Sequence, residues 1–298
     1  MVLKLLVGSL QLGLLYGILA LGIYISFRIL STPDLTTEGS FAFGLSVSAA
    51  VTAAGHPLLA LPASIIAGAA AGSITGFLQT RLMIHPILSG IITMSGLYSV
   101  NLLVLGGASN LSLVRTSTLF KLFPFMDKQT TMTVIPAIAV VICLILVILF
   151  FRTHIGMCIR AVGDNADMVR ASSINVDLCK ILAFAISNAL IAFSGALIAQ
   201  YQGYADISSG TGILVIGLAS VIIGEAILGR KSVAVGFVSA IVGSVLYRYM
   251  IALATRYSPL PAYMLKLVSA VIVALALALP AMRLHMDVYR QKRRNPDA

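Results

Sequence analysis

Charge is scarce in this sequence. Asp, Glu, Lys and Arg make up 10% of the 298 residues while 59% are hydrophobic, whereas a soluble domain carries about 25% charged residues. So few charges cannot cover a water-soluble exterior, and lipid is the expected solvent for most of the surface. Cysteine is scarcer still. Cys143, Cys158 and Cys179 stand at no CxxC or metal-ligand spacing, which supports neither a disulfide framework nor a zinc site. His56 and His85 each precede a proline at the end of an apolar block, His154 falls in a loop and His285 in the tail. With no paired aspartates and no Ser–His pair inside an apolar block, intramembrane hydrolysis lacks its residues, and neither a catalytic site nor a metal is expected. The run 224–232 has the glycines of a phosphate-binding loop, but Lys231 is one place late and no strand precedes it, so the chain has no nucleotide site of its own. The net charge is +10, yet the 20 Lys and Arg are scattered between apolar blocks and make no nucleic-acid face.

Long apolar runs are what the sequence has in abundance. Crossing roughly 30 Å of hydrocarbon takes about 20 apolar residues. Cutting at charges, prolines and glycine-rich turns gives segments 3–27, 39–54, 57–78, 84–105, 133–151, 181–200, 213–228, 232–254 and 264–282. The expectation is an all-α integral membrane protein, one membrane domain over 1–298, with about nine helices, in the range of about 8–10. The first segment is too long for a typical signal-peptide core and ends in Arg28, so it reads as a retained helix. Basic residues place the segment 152–180, Arg28, Arg81, Arg230, Lys231 and the tail 283–298 in the cytoplasm, leaving the N-terminus outside.

Two segments, 39–54 and 213–228, are short, and each follows a polar, glycine-containing stretch, 31–38 and 203–212. Irregular backbone at membrane depth is tolerated only where protein buries it or a wet cavity takes it up. The two breaks are therefore expected to flank a pathway, through Asp34, Thr37, Glu38 and Gly39 in one and Ser209, Gly210 and Gly212 in the other. A shift of 173 positions superposes Gly22 on Gly195, Gly39 on Gly212, Gly44 on Gly217 and Pro86 on Pro259, and brings the breaks into register. Five spans separate each helix from its counterpart, so the expected repeats, 3–106 and 176–282, would be inverted.

Polar side chains inside spans have two readings, pathway lining or an interhelical hydrogen bond. Asn101 and Asn188 are the pathway candidates; Gln11, Gln200 and Tyr98 are further ones, and Arg248 is expected to snorkel outward. Gly68, Gly72 and Gly76, like Gly13 and Gly17, permit close helix packing, within a subunit rather than between two. In the loop 152–180, Asp164 or Asn165 can cap a short helix with Asp167 at its N-terminal end. Such a helix is either a plain connector or one that docks on a membrane surface or in a partner's groove.

That loop resembles the one in branched-chain amino acid and ribose-type ABC permeases. Gly156, Arg160, Ala161, Val162, Gly163, Asp164 and Asn165 fill the family's pattern in order, leading through Asp167 and Arg170. The run Pro33-Asp34-Leu35-Thr36-Thr37-Glu38-Gly39-Ser40 looks like that of a subgroup paired with tryptophan or tyrosine binding proteins. The resemblance implies a permease of the bacterial cytoplasmic membrane whose short helix is a coupling helix fitting a cleft of the ATPase. It implies a homodimer, two ATPase subunits that bind ATP and Mg, no cofactor in this chain, and an extracytoplasmic binding protein. The solute implied is an amino acid, with sugars and nucleosides as alternatives. The competing class is an ion-coupled secondary carrier, which would need acidic residues at mid-membrane; Asp34, Glu38, Asp206 and Glu225 lie near segment ends and count against it.

Overall fold

The computed structural model describes residues 2–122, 127–229 and 231–257, with 267, 270, 271, 273, 274 and 278 beyond them. Most of the segment 264–282, the tail 283–298, Arg230 and Pro259 lie outside the described residues. The elements run α1 Val2–Tyr24, α2 Thr36–Ala53, α3 Ala60–Thr80, α4 Pro86–Val104, β1 Asn110–Ser112, α5 Lys128–Arg152, α6 His154–Asp164, α7 Ala166–Ala171, α8 Val176–Gln202, β2 Tyr204–Asp206, α9 Ile213–Leu228 and α10 Val233–Tyr257. Among the described residues 7 helices are long and apolar enough to cross a membrane. The protein is a multi-pass, all-α membrane protein, save, among the described residues, for one small antiparallel ribbon that pairs Asn110 with Asp206 and Ser112 with Tyr204. α2 is too rich in Ser, Thr and Gly to count as an apolar span, and most of its length is buried among its neighbours.

Small residues set the packing, as expected where lipid removes the hydrophobic drive between helices. α8 is the central element. Along α3, a methyl group on Gly68, Gly72 or Gly76 would collide with Asn188, Phe184 and Ile181 of α8 in turn. Gly13 of α1 abuts Val245 of α10 in the same way, and Gly17 meets Ile241 at ordinary contact distance. Both glycine series are thus contacts within the subunit.

Side-chain contacts show the relative directions of α1, α2, α8 and α9. Ser187 and Ser194 of α8 donate to the carbonyls of Gly22 (2.7 Å) and Leu15 (2.8 Å), so α1 and α8 are antiparallel. Asn188 meets Asp34 and Ala196 meets Ser48, so α2 runs parallel to α8. α9 returns in the opposite sense, with Gly217 against Ile23 and Glu225 bonded to Arg28.

Both short helices begin deep in the bundle. After α1 the backbone makes a π-helical turn at Ile25–Ile29, reverses at Ser31 (φ 53°) and climbs back through Pro33 before α2 starts. After β2 the chain descends through a 3₁₀ turn, Ile207–Gly210, and enters α9 at Gly212, whose φ of 82° favours glycine. The first return carries Asp34 to the level of Asn188, halfway along α8, with Glu38 one turn further on. Distance along the sequence therefore misplaces these two acids: they are near segment ends in the chain but deep in the bundle. Arg248 departs from its expectation too. Its guanidinium lies 3.8 Å from the centroid of the Tyr16 ring and does not turn outward.

Candidate translocation site and coupling segment

The two breaks meet. The Glu38 carboxylate, in the first turn of α2, accepts a hydrogen bond from the backbone N–H of Gly212 at the start of α9 (2.9 Å). Gly210 packs so closely on the Glu38 carbonyl that a Cβ there would lie 2.5 Å from it. Beside this junction is a cavity of about 420 Å³, walled by α2, α4 and the 207–211 segment. Of the residues expected to flank a pathway, Glu38, Gly39, Asn101 and Gly210 line it, together with Met94, Ser95, Tyr98 and Thr211. Gly212 joins through its N–H, while Ser209 is half-buried in the second break, outside the lining. Asn101 is fully buried, and neither atom of its amide has a hydrogen-bond partner.

Asp34, Thr37 and Asn188 form a separate polar layer next to the cavity, on the side where α8 begins. Asp34 is 2% exposed. Its two oxygens accept from the Thr36 N–H (2.9 Å) and the Asn188 amide (2.7 Å), and its carbonyl accepts from the Thr37 hydroxyl (2.9 Å). Thr36 in turn shares a hydrogen bond with Thr75 of α3 (2.7 Å). Asn188 therefore makes a hydrogen bond between elements. So do Gln11, bonded to Thr133 and Tyr201, and Gln200, bonded to the Leu119 N–H and the Pro57 carbonyl. One layer further, Arg28 and Glu225 form an ion pair at 2.6 Å that clamps the π-helical turn after α1 to the end of α9. Sequence reading missed this pair because Arg28 reads as a loop charge and only the return of α9 brings Glu225 to it.

The segment 152–180 folds as two helices, where the sequence showed one. α6 was hidden because Arg152, His154 and Arg160 make the chain after residue 151 read as a loop, although Gly156, Cys158, Ile159 and Val162 are buried in it. Thr153 starts it by accepting from the Gly156 N–H (3.3 Å). Asn165 then caps α7, its side chain accepting from the N–H groups of Asp167 (3.1 Å) and Met168 (3.0 Å). Arg160, Asp164, Asp167 and Arg170 are exposed, whereas Gly156, Ala161 and Gly163 face protein. Gly163 is the tightest contact: a Cβ there would collide with the Ile29 carbonyl and sit 3.1 Å from the Leu30 Cα. The segment thus rests directly on the π-helical turn that follows α1, immediately before the first break. Removing the cap tests the local part of this description. Asn165→Ala is expected to cost about 1 kcal/mol, typical of a lost N-cap, and to speed amide hydrogen exchange over 166–171 about fivefold, with the membrane helices unaffected.

Comparison with known proteins identifies the family. The family model described as "Branched-chain amino acid transport system / permease component" matches residues 5–277. A tyrosine transport system permease protein of Clostridioides difficile is 38% identical, over 89% of this chain and 88% of its own. An uncharacterised protein of Rickettsia prowazekii is 34% identical, over 75% of this chain and 78% of its own. The ribose import permease protein of Escherichia coli K12 is 25% identical, over 68% of this chain and 64% of its own. The chain belongs to the family of branched-chain amino acid transport system permease components.

Proposed function

We propose that this permease moves an amino acid through the junction of its two broken helices, powered by a separate ATPase that docks on α6 and α7. The observation that carries the reading is the meeting of Glu38 with Gly212 beside a cavity of about 420 Å³. Of the named relatives, the tyrosine permease covers the most of this chain and the ribose permease less, so an amino acid is favoured over a sugar.

In this reading α6, α7 and the ends of α1, α3 and α9 face the cytoplasm. The closeness of Arg81 to Asp177 (3.9 Å) and of Gly163 to Ile29 supports a common side for these basic ends. α2 and the apolar stretch 264–282 bring the 7 long apolar helices to about nine spans, with the tail cytoplasmic. An inverted repeat is supported by the shift of 173 positions, which carries α3 onto the start of α10 and α2 onto a range covering most of α9. Each member of the pairs α1/α8 and α2/α9 runs opposite to its counterpart.

The working assembly has two copies of this chain, two ATPase subunits that bind ATP and Mg, and an extracytoplasmic binding protein that delivers the solute. Exposed Asp164, Asp167 and Arg170 are the groups available to the ATPase cleft. Buried Asp34 meets the demand of an ion-coupled carrier for an acid at depth, but membership of the permease family supports an ATPase as the energy source. The test is co-purification with the ATPase, followed by ATP-driven vesicle uptake of labelled tyrosine, tryptophan, leucine and ribose in the presence of binding protein. Saturable uptake of an amino acid supports the reading. Uptake of ribose alone, or uptake driven by an ion gradient without ATP, overturns it.

A further inference from the structure

We propose that the cavity between α2, α4 and the 207–211 segment recognises the zwitterionic backbone of an α-amino acid, Glu38 receiving its ammonium group and Asn101 its carboxylate. The assignment rests on the importer reading above and gives that cavity a ligand chemistry.

The first observation is Asn101. It is 0% exposed, stands in the cavity wall, and both Oδ1 and Nδ2 lack a partner. Buried side-chain amides are ordinarily satisfied, and an exception in a native site calls for an explanation. No hydrogen bond holds this amide, and the second torsion of an asparagine is broad, so it can turn its N–H groups toward an anionic oxygen in the cavity.

The second observation is independent. Glu38 uses one oxygen on the Gly212 N–H, and among the described residues no Lys, Arg or His lies within ion-pairing distance of it. The wall thus carries one acid and no base. That arrangement disfavours an anionic solute and gives a cation one charged partner; a sugar would leave the acid uncompensated. An ammonium group matches it, and the donors of Asn101, Ser95 and Thr211 suit the carboxylate that accompanies it in an amino acid. Ala42, Met94 and Ile207 supply an apolar wall for a side chain, and the volume falls within the range of small-molecule pockets.

The test is equilibrium binding of labelled L-tyrosine and L-leucine to the permease–ATPase complex in nanodiscs, without binding protein. Competitors are tyramine, which lacks the carboxylate, 3-(4-hydroxyphenyl)propionate, which lacks the ammonium, and D-ribose. Glu38→Gln keeps an oxygen for the Gly212 N–H but loses the charge. Its affinity for the amino acid should fall about tenfold to a hundredfold, as for a lost charge-assisted bond, and its preference over the deaminated competitor should disappear. Asn101→Leu should weaken amino-acid binding about tenfold or more while raising the thermal midpoint, since it removes two unpartnered polar atoms.

Unchanged affinity in both variants, with intact amino-acid binding and uptake in the parent, overturns this assignment and leaves the importer reading standing. A lowered midpoint for Asn101→Leu, with amino-acid affinity retained, makes Asn101 structural and overturns it as well. A parent complex that binds D-ribose and no amino acid overturns both.

Discussion

Gly163→Leu is expected to separate ATP hydrolysis from transport. The residue at 163 meets the Ile29 carbonyl and the Leu30 Cα, so a leucine must push the end of α6 away from α1. That contact joins α6 to the chain just before the first break, since Asp34 follows Leu30 by four residues. In the proposed mechanism closure of the ATPase moves α6 and α7, α6 moves the end of α1, and the break shifts against Asn188. A coupling of this kind is typically about 1–3 kcal/mol, or about 5- to 150-fold, and uptake per ATP hydrolysed should fall by a factor in that range. The exposed groups Asp164, Asp167 and Arg170 are untouched, so the ATPase should still co-purify and still hydrolyse ATP. Uptake at the parental rate per ATP would show that Gly163 only packs. Loss of the complex would show that α6 positions the docking face and is not the relay.

The sequence disclosed the breaks but not their depth. Pro33, Gly39, Gly210 and Gly212 interrupt apolar runs, and that interruption is visible in one dimension. Whether the interrupted chain stays at the surface or turns back depends on which polar groups find partners inside, and the partner of Asp34 is Asn188, 154 positions away. The same limit hid the Arg28–Glu225 pair and the ribbon between 110–112 and 204–206. Local chemistry was more legible. The cap could be narrowed to Asp164 or Asn165 because an N-cap acts on the next two or three N–H groups, and it is Asn165 that accepts from Asp167 and Met168. Asn101 and Asn188 looked alike in sequence, each a polar residue in an apolar helix. Their neighbours divide them: one has an acid to bond and the other a cavity.

The Asp34 layer supplies the other large expected effect, because isosteric replacement is not conservative there. In Asp34→Asn one oxygen becomes an NH₂ group. In one orientation it faces the Asn188 amide, and in the other it faces the Thr36 N–H. With the Asn188 amide as it stands a donor opposes a donor, and turning that amide to offer its unpartnered oxygen gives up its bond to the Phe184 carbonyl; an unsatisfied buried polar group costs about 1–3 kcal/mol. Interhelical hydrogen bonds in membrane proteins average only about 0.6 kcal/mol, so an ordinary contact would give a far smaller loss. The thermal midpoint of the purified permease should fall accordingly, and uptake with it, since the same layer positions α2 against α8. The exchange Asp34→Asn with Asn188→Asp restores an amide opposite a carboxylate and should recover part of both. Recovery is incomplete because Asn188 also donates to the Phe184 carbonyl at 3.0 Å, which a carboxylate cannot do. If the double variant is no better than the sum of its parts, the two side chains do not act as a pair. The break would then be held by Thr36 and Thr37 alone.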